Sequence, residues 1–325
     1  MSCGAYAMAR SEFPKCVIPA INFKGGTGKT TVTIAAAEGL CRQLGKRVLI
    51  IDCDFQCSAS ITLLGRQTLN HLIAVNATLD CQLERQMKDE GAHSLSDAVV
   101  QVRQSVKEAS ERLFLLPGNP DMPRRERQIV SSFLQGRDIH SAYQSASMRM
   151  GELYRSLMAD FDLILIDCPP GLTLFSEAAI RAADGLIIPT LPNEISFAAI
   201  DHLRHEIGRI RPERTLEDLL IGTVISKLCE RADSQHFRSQ SSSIERLLDR
   251  VAPSFRILKP YLPYCRELEA AAWRNEEASE VAFQQRYGRS SSAIEELCRA
   301  LADRCRSLLG PRLRTRSRSH QLTNA

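Results

Sequence analysis

Short apolar runs alternate along the chain with longer segments whose apolar residues recur at helical spacing. Helical spacing is clear at 30–45, 176–183 and 196–210. The runs predict strands, because each is rich in Val, Ile, Leu or Phe and ends at a polar or turn residue. They lie at 16–23, 47–52, 112–118, 161–167, 185–190 and 219–225. The alternation predicts an α/β fold with a doubly wound, mostly parallel sheet and helices on both faces.

The remaining segments complete one domain. Residues 66–111 are polar and helix-prone without a strong strand, and residues 291–310 predict a terminal helix that packs on the fold. We therefore expect a flexible extension at 1–14, an α/β domain at 15–310, and a basic, disordered tail at 311–325.

The composition indicates the net charge of the chain and its expected cellular location. The 325 residues are 44% hydrophobic, enough to bury a sizeable core. Lys and Arg total 42 against 38 acids, a net charge of +4 that is matched by the four arginines of the acid-free tail. The 11 cysteines show neither C-x-x-C nor zinc-site spacing, which favours reduced thiols. With no apolar run of membrane-spanning length, we expect a soluble, cytoplasmic protein.

The stretch AINFKGGTGKTTV, residues 20–32, is a phosphate-binding loop with one departure. Phe23 stands where G-x-x-x-x-G-K-[ST] has its first glycine, and Lys24 and Lys29 give the loop a lysine at each end. The glycines let backbone N–H groups approach phosphate oxygens, and the following helix adds its dipole. Lys29 is predicted to contact the β- and γ-phosphates, and the hydroxyl of Thr30 to ligate Mg²⁺.

Two further motifs end in aspartates. In LIIDCDFQCSAS, residues 49–60, Asp52 and Asp54 follow a strand and point to the same side. In FDLILIDCPPG, residues 161–171, an apolar strand ends in Asp167, in the manner of a Walker B aspartate that holds the metal through water. Because ligands of such sheets bind at the carboxyl ends of strands, all three motifs predict one nucleotide site.

KGGTGKTT, DCDFQ and IDCPPG together resemble the deviant Walker A, switch I and switch II of the ParA-type ATPases, within the group that includes MinD. The resemblance covers roughly residues 14–305, including LPGNPDM at 116–122 and IIPTLPNEISFAAIDHL at 187–203. It implies a P-loop domain that binds ATP and Mg²⁺ and forms an ATP-dependent homodimer. It implies that Lys24 reaches across a nucleotide sandwich to the ATP of the partner, while Lys29 serves its own nucleotide.

The site residues follow from these matches. The resemblance implies that Lys24, Lys29 and Asp54 are catalytic residues, with Asp54 orienting the hydrolytic water. It implies that Thr30, Asp52 and Asp167 belong to the metal site. The residues expected to bind the nucleotide are Lys24, Gly25, Gly26, Thr27, Gly28, Lys29, Thr30 and Thr31, with Pro263 and Cys265 at the adenine.

Two positions depart from the family. Phe55 replaces the usual proline of switch I, which implies a less rigid turn. Cys265 replaces an asparagine that contacts adenine, and a thiol lacks the hydrogen bonds of an amide, so backbone groups near Pro263 are expected to supply that contact.

The partner of the ATP dimer divides the family. The last helix carries Glu295, Glu296 and Asp303 on its polar face, which disfavours an anionic membrane. Nonspecific DNA is favoured, since phosphate contacts need only basic side chains. The candidate DNA residues are Arg204, Arg209, Arg211 and Arg214, then Lys227 and Arg231, then Arg312, Arg314, Arg316 and Arg318.

The resemblance implies slow hydrolysis that a ParB-like adaptor stimulates, association with the nucleoid, and partitioning or positioning of a plasmid, a chromosome region or a protein cargo. Two alternatives remain open. One is an orphan regulatory or positioning ATPase that acts through protein contacts without DNA. The other is a nonhydrolysing, nucleotide-dependent scaffold.

Overall fold

The computed structural model describes residues 13–87, 94–103, 106–226, 246–247, 249, 255–262 and 281–322, with side chains as far as residue 310. The strands are β1 Cys16–Ala20, β2 Val48–Asp52, β3 Val100–Gln101, β4 Leu113–Leu116, β5 Leu163–Asp167, β6 Leu186–Thr190, β7 Leu220–Ile225 and β8 Ile257–Leu258. They form one sheet in the order β3-β4-β2-β5-β1-β6-β7-β8.

Eleven α-helices have their full bounds within the described residues. They are α1 Lys29–Leu44, α2 Ser58–Leu64, α3 Arg66–Ala74, α4 Leu79–Met87, α5 Met122–Ser132, α6 Ile139–Ser156, α7 Leu174–Ala182, α8 Glu194–Ile210, α9 Leu216–Leu219, α10 Phe283–Tyr287 and α11 Ser291–Leu322. Short 3₁₀ turns lie at Leu95–Ala98, Leu157–Ala159 and Gly288–Ser290.

The predicted doubly wound fold is confirmed. All six predicted strands are present with their ends trimmed, and β1 lies between β5 and β6 in parallel, so the chain winds outward in both directions from β1. Among the strands of the described residues, β3 alone is antiparallel to its neighbour. The sequence missed β3 and β8, because each is a two-residue edge strand, too short to give a periodic pattern.

The sheet separates two apolar layers, because successive strand residues face opposite sides. Val17, Leu49 and Ile166 face the layer built by α4 to α9. Ile18, Ile50 and Leu165 face the layer built by α1, α2, α10 and α11. Both faces are therefore buried, which explains why these strands read as continuous apolar runs in the sequence.

Helix α1 is tied to the C-terminal helices by a buried ion pair and a close backbone approach. Glu38 accepts a hydrogen bond from the Tyr287 hydroxyl and lies 2.9 Å from the Arg286 guanidinium, with all three side chains buried. A Cβ added at Gly39 would lie 2.4 Å from the Sγ of Cys298. The C-terminal helices thus brace α1, the helix that follows the glycine-rich loop.

The last helix runs across the predicted end of the domain. Helix α11 extends from Ser291 to Leu322 and so includes residue 310 and part of the segment expected to be a tail. The division of the chain at residues 14 and 310 stays a prediction. Only residues 13 and 14 of the predicted N-terminal extension lie within the described part.

Two predictions about composition can be compared with the described residues. Their eight cysteines are all buried free thiols. Their helices include none with the length and apolar character needed to cross a membrane.

We expect Gly39→Ala to lower the free energy of unfolding by about 1–3 kcal/mol, because the new methyl group overpacks the contact with Cys298. The matched control is Gly208→Ala in α8, where a Cβ meets no atom within 4 Å. There the better helix propensity of alanine should raise stability by up to about 1 kcal/mol. Urea unfolding measures both, and adding Cys298→Ala should restore the Gly39 variant. Equal effects at the two glycines would contradict this account of α1 packing.

Candidate functional site

Residues 21–28 connect β1 to α1 and form the glycine-rich loop. Gly26 and Gly28 have φ angles of 73° and 81°, left-handed values that favour glycine. A Cβ at Gly28 would lie 3.0 Å from the Ser226 hydroxyl, which donates a 2.6 Å hydrogen bond to the carbonyl of Thr27. Gly28 stands at the N-cap of α1 and has no side chain that could accept a hydrogen bond from the N–H groups of the first turn, which include those of Thr30 and Thr31. That arrangement suits a phosphate.

Lys29 is buried and folds back over this loop. It is 7% exposed, and its ammonium donates to the carbonyl of Lys24 at 3.1 Å. Burial lowers the pKa of Lys29, while Asp167, Cys168 and Asp54 nearby oppose that shift. An arriving phosphate would offset the same desolvation by supplying negative charge.

Lys24 points away from Lys29, toward the N-terminus of α8. Its ammonium donates to the Ser196 hydroxyl at 3.0 Å and lies 3.4 Å from the Asn193 Oδ1 atom that caps this helix. Asn22 fixes the start of the loop by accepting the Lys24 N–H at 2.9 Å. The two lysines are therefore held by different elements. The role of Lys24 in a partner subunit stays a prediction.

Asp52 and Asp167 are direct neighbours across β2 and β5 at the carboxyl edge of the sheet, and both are fully buried. Asp52 Oδ2 accepts the Ser60 N–H at 2.8 Å and the Ser60 hydroxyl at 2.7 Å, while Oδ1 accepts the Asp54 N–H at 3.2 Å. Burial raises the pKa of Asp52 to about 6, and these hydrogen bonds oppose the rise. Asp52 is thus an anchor of the following loop, and its predicted place around magnesium stays a prediction.

Asp167 has a free oxygen where Asp52 has none. Its Oδ2 accepts no hydrogen bond from any group in the described part of the chain, and Oδ1 lies 3.5 Å from the Thr33 hydroxyl. Burial and the charge of Asp52 raise the pKa of Asp167 well above its usual range, while the nearby Thr30 hydroxyl and Lys29 charge lower it. A divalent cation beside this oxygen would satisfy it and favour the ionised form. Asp167 and Thr30 offer the hard oxygen atoms that Mg²⁺ prefers.

Asp54 begins the loop after β2. It is 7% exposed, and its Oδ1 accepts the Gln56 N–H at 3.0 Å. Burial raises the pKa of Asp54, while the Gln56 amide and the charge of Lys29 lower it. The next side chain, Phe55, is 43% exposed. The structure therefore brings the phosphate loop, Asp52, Asp54 and Asp167 together at one edge, as the sequence predicts.

Other predicted site residues are not tested in this way. Pro263, Cys265, Lys227 and Arg231 lie outside the described residues, as do the side chains of Arg312, Arg314, Arg316 and Arg318.

Three of the predicted DNA arginines, Arg204, Arg209 and Arg211, are paired with carboxylates. Arg204 contacts Asp201 and Glu217, and Arg209 donates to Glu206 at 2.8 Å. Arg211 donates to Glu213 at 2.9 Å and to the carbonyl of Ala183 at 2.7 Å, which places it against the end of α7. This surface carries less positive charge than a count of its arginines suggests.

Sequence reasoning gave no role to Ser60, Gly118, Asn193, Ser196 or Ser226, although the structure places all of them around the site. Ser60 lies within the stretch quoted for switch I, and Gly118 and Asn193 lie within stretches that carried the family resemblance. Their hydrogen bonds join residues distant in the chain, so motif spacing could locate the segments but not the contacts.

The sequence of this chain matches a protein family and several known proteins. The AAA domain family matches residues 15–221. A chromosome partitioning protein ParA of Myxococcus xanthus is 26% identical over 241 residues, 72% of this chain and 74% of that protein.

Solved structures share the fold. Apo McdA of Cyanothece superposes with a TM-score of 0.65 at 20% identity, covering 87% of this chain and 98% of that one. Cobyrinic acid a,c-diamide synthase of Mycobacterium smegmatis, with a bound ATP analog and magnesium, gives a TM-score of 0.60 at 23% identity, covering 88% and 94%. By its family match, its fold and its loop, the chain belongs to the AAA domain family, as a P-loop ATPase of the ParA/MinD type.

Proposed function

We propose that this chain is a Mg²⁺-dependent ATPase whose ATP-bound homodimer drives partitioning or positioning of a cargo on DNA. The observation that carries the ATPase assignment is the grouping at one sheet edge of an uncapped glycine loop, the buried Lys29 and the unpartnered oxygen of Asp167. The Lys29 charge and the Asp167 oxygen are costly to bury alone, and a magnesium nucleotide would offset both while its phosphates accept the N–H groups of the loop.

The residues divide the chemistry as follows. The loop amides and Lys29 bind the phosphates, and Thr30 and Asp167 would hold Mg²⁺, which neutralises charge on the phosphate oxygens when bound. Asp54 orients the attacking water, held by its backbone bond to Asp52. Burial favours a proton on Asp54, and the neighbouring Lys29 charge favours the ionised form that accepts a hydrogen bond from water.

Partitioning or positioning is supported by the named relative, a chromosome partitioning protein. The ATP-dependent homodimer and a ParB-like adaptor are proposed from the family resemblance. Carboxylates offset the positive charge of Arg204, Arg209 and Arg211. The proposed DNA binding therefore depends mainly on the four arginines at 312–318.

The same pairing of arginines favours a second candidate, a regulatory or positioning ATPase that acts through protein contacts without DNA. Both candidates require the nucleotide cycle. They differ in whether ATP switches affinity for DNA.

We expect Asp54→Ala to lower ATP hydrolysis about 100-fold while ATP binding survives, because the side chain orients water and contacts no phosphate in this scheme. Phosphate release and the affinity for a fluorescent ATP analogue measure the two effects. Asp138→Ala is the control, since it removes an aspartate that caps α6 away from the loop. Unchanged turnover in the Asp54 variant would remove this residue from the mechanism.

We expect Lys24→Ala to abolish ATP-dependent dimerisation while sparing nucleotide binding by the monomer, whereas Lys29→Ala should weaken binding itself. The reason is that the Lys29 ammonium folds back onto the loop carbonyl of Lys24, whereas the Lys24 ammonium points out of the loop and contacts Ser196 of α8. Sedimentation velocity with a nonhydrolysable ATP analogue separates these outcomes, with Lys15→Ala as a lysine control beyond the loop. A dimer that persists in the Lys24 variant would contradict the bridging role.

We expect removal of residues 311–325 to weaken DNA binding and to flatten its salt dependence, while any ATP requirement remains. Four phosphate contacts from Arg312, Arg314, Arg316 and Arg318 would contribute about −3.6 to the log-log salt slope. Affinity measured across a salt series, with and without ATP, gives the slopes. A variant with lysine at the four positions keeps the charge and should keep the slope. Identical slopes for the full-length and shortened chains would exclude the segment from DNA contact.

A further inference from the structure

Ser60 lies at the centre of a buried hydrogen-bond cluster behind Asp54. It sits in α2 with no exposed surface, and both its N–H and its hydroxyl donate to Asp52 Oδ2, at 2.8 Å and 2.7 Å. The same hydroxyl accepts the Gly118 N–H at 3.0 Å. The Ser60 hydroxyl thus both donates and accepts a hydrogen bond, which fixes it between the Asp52 carboxylate and the backbone at Gly118.

Gly118 follows β4 and packs directly on the loop that carries Asp54. A Cβ at this position would lie 3.0 Å from the carbonyl oxygen of Asp52, 3.2 Å from the Asp52 Cγ and 3.4 Å from the carbonyl oxygen of Asp54. The next residue, Asn119, is held by Asp80, whose Oδ2 accepts from the Asn119 amide at 3.2 Å. Only a glycine allows this approach without displacing Asp52.

Asp52 transmits this restraint to Asp54. The second oxygen of Asp52 accepts the Asp54 N–H at 3.2 Å, and the carbonyl of Asp54 accepts the Cys57 N–H at 2.8 Å. The loop from Asp54 to Cys57 therefore begins at a backbone position set by a carboxylate that Ser60 and Gly118 hold. The phosphate loop is built by other elements, β1 and α1.

We infer that Ser60 and Gly118 are positioning residues for hydrolysis, which act by holding Asp52 and so setting the place of Asp54. This inference rests on the proposed ATPase function. Because neither residue belongs to the phosphate loop, their loss changes the rate of the chemical step and leaves nucleotide affinity in place.

The test compares Ser60→Ala with Ser60→Thr in the full chain. Ser60→Ala should lower kcat about 10- to 100-fold, the usual effect of losing a group that orients a catalytic residue. Affinity for a fluorescent ATP analogue should stay within about 2-fold of the original chain. Ser60→Thr keeps the hydroxyl and should recover most of the rate. Loss of affinity in parallel with kcat, or a Ser60→Ala rate equal to that of the original chain, would overturn the inference.

Ser147→Ala is the matched control for lost stability. Ser147 is also a fully buried serine whose hydroxyl donates to a carboxylate, Glu177, at 2.8 Å, but it lies on α6 in the layer opposite α1. Its loss should lower the thermal midpoint and leave kcat unchanged. An equal fall in kcat for the Ser60 and Ser147 variants would reduce Ser60 to a structural role.

Gly118→Ala provides an independent variant, because it retains every hydrogen-bonding group and only displaces Asp52. It should lower kcat with nucleotide affinity retained, as Ser60→Ala does, and an unchanged rate would count against the inference. Failure of the proposed function is distinguishable, because the original chain would then release no phosphate above the Lys29→Ala background.

Discussion

The site depends on two carboxylates, Asp52 and Asp167, that the register of β2 and β5 places side by side in a buried position. Two negative charges at low dielectric repel each other, and burial removes the water that would solvate them. The chain provides the two carboxylates with unequal numbers of hydrogen bonds. Asp52 receives three hydrogen bonds, whereas Asp167 keeps an oxygen without a partner among the described residues. The uncompensated oxygen is the one that a bound cation can serve.

The two lysines of the loop also differ in their surroundings. Lys29 is drawn over the loop by its bond to the Lys24 carbonyl and feels the charge of Asp167 and Asp54. The ammonium of Lys24 lies instead at the N-terminus of α8, where the helix dipole disfavours a cation and the neutral groups of Ser196 and Asn193 contact it. The two ammonium groups therefore contact different elements, Lys29 the loop and Lys24 the start of α8.

The order of motifs predicted much of this arrangement. Apolar runs ending in aspartate located β2 and β5, and the parallel fold required their carboxyl ends to meet at the glycine loop. The sequence could not give the partners that close the site, since Ser60 to Gly118 and Lys24 to Ser196 are contacts between distant segments. The acids interleaved with Arg204 and Arg209 are visible in the sequence, but only the structure shows that they form ion pairs with these arginines.

The phosphate loop, Asp54 and Lys24 are held by different elements of the fold. This separation affects how the proposed nucleotide cycle could be controlled. The phosphate loop is braced through Ser226 at the end of β7 and through α1, which packs on α11. Asp54 is set from the β4 side by Gly118 and Ser60, and Lys24 is held by α8. Under the proposed function, a change at one of these elements therefore alters nucleotide binding, hydrolysis or dimerisation separately. In the proposed cycle, a partner that contacts the β4 side of the site has a route to the hydrolysis rate that leaves the grip on the nucleotide intact.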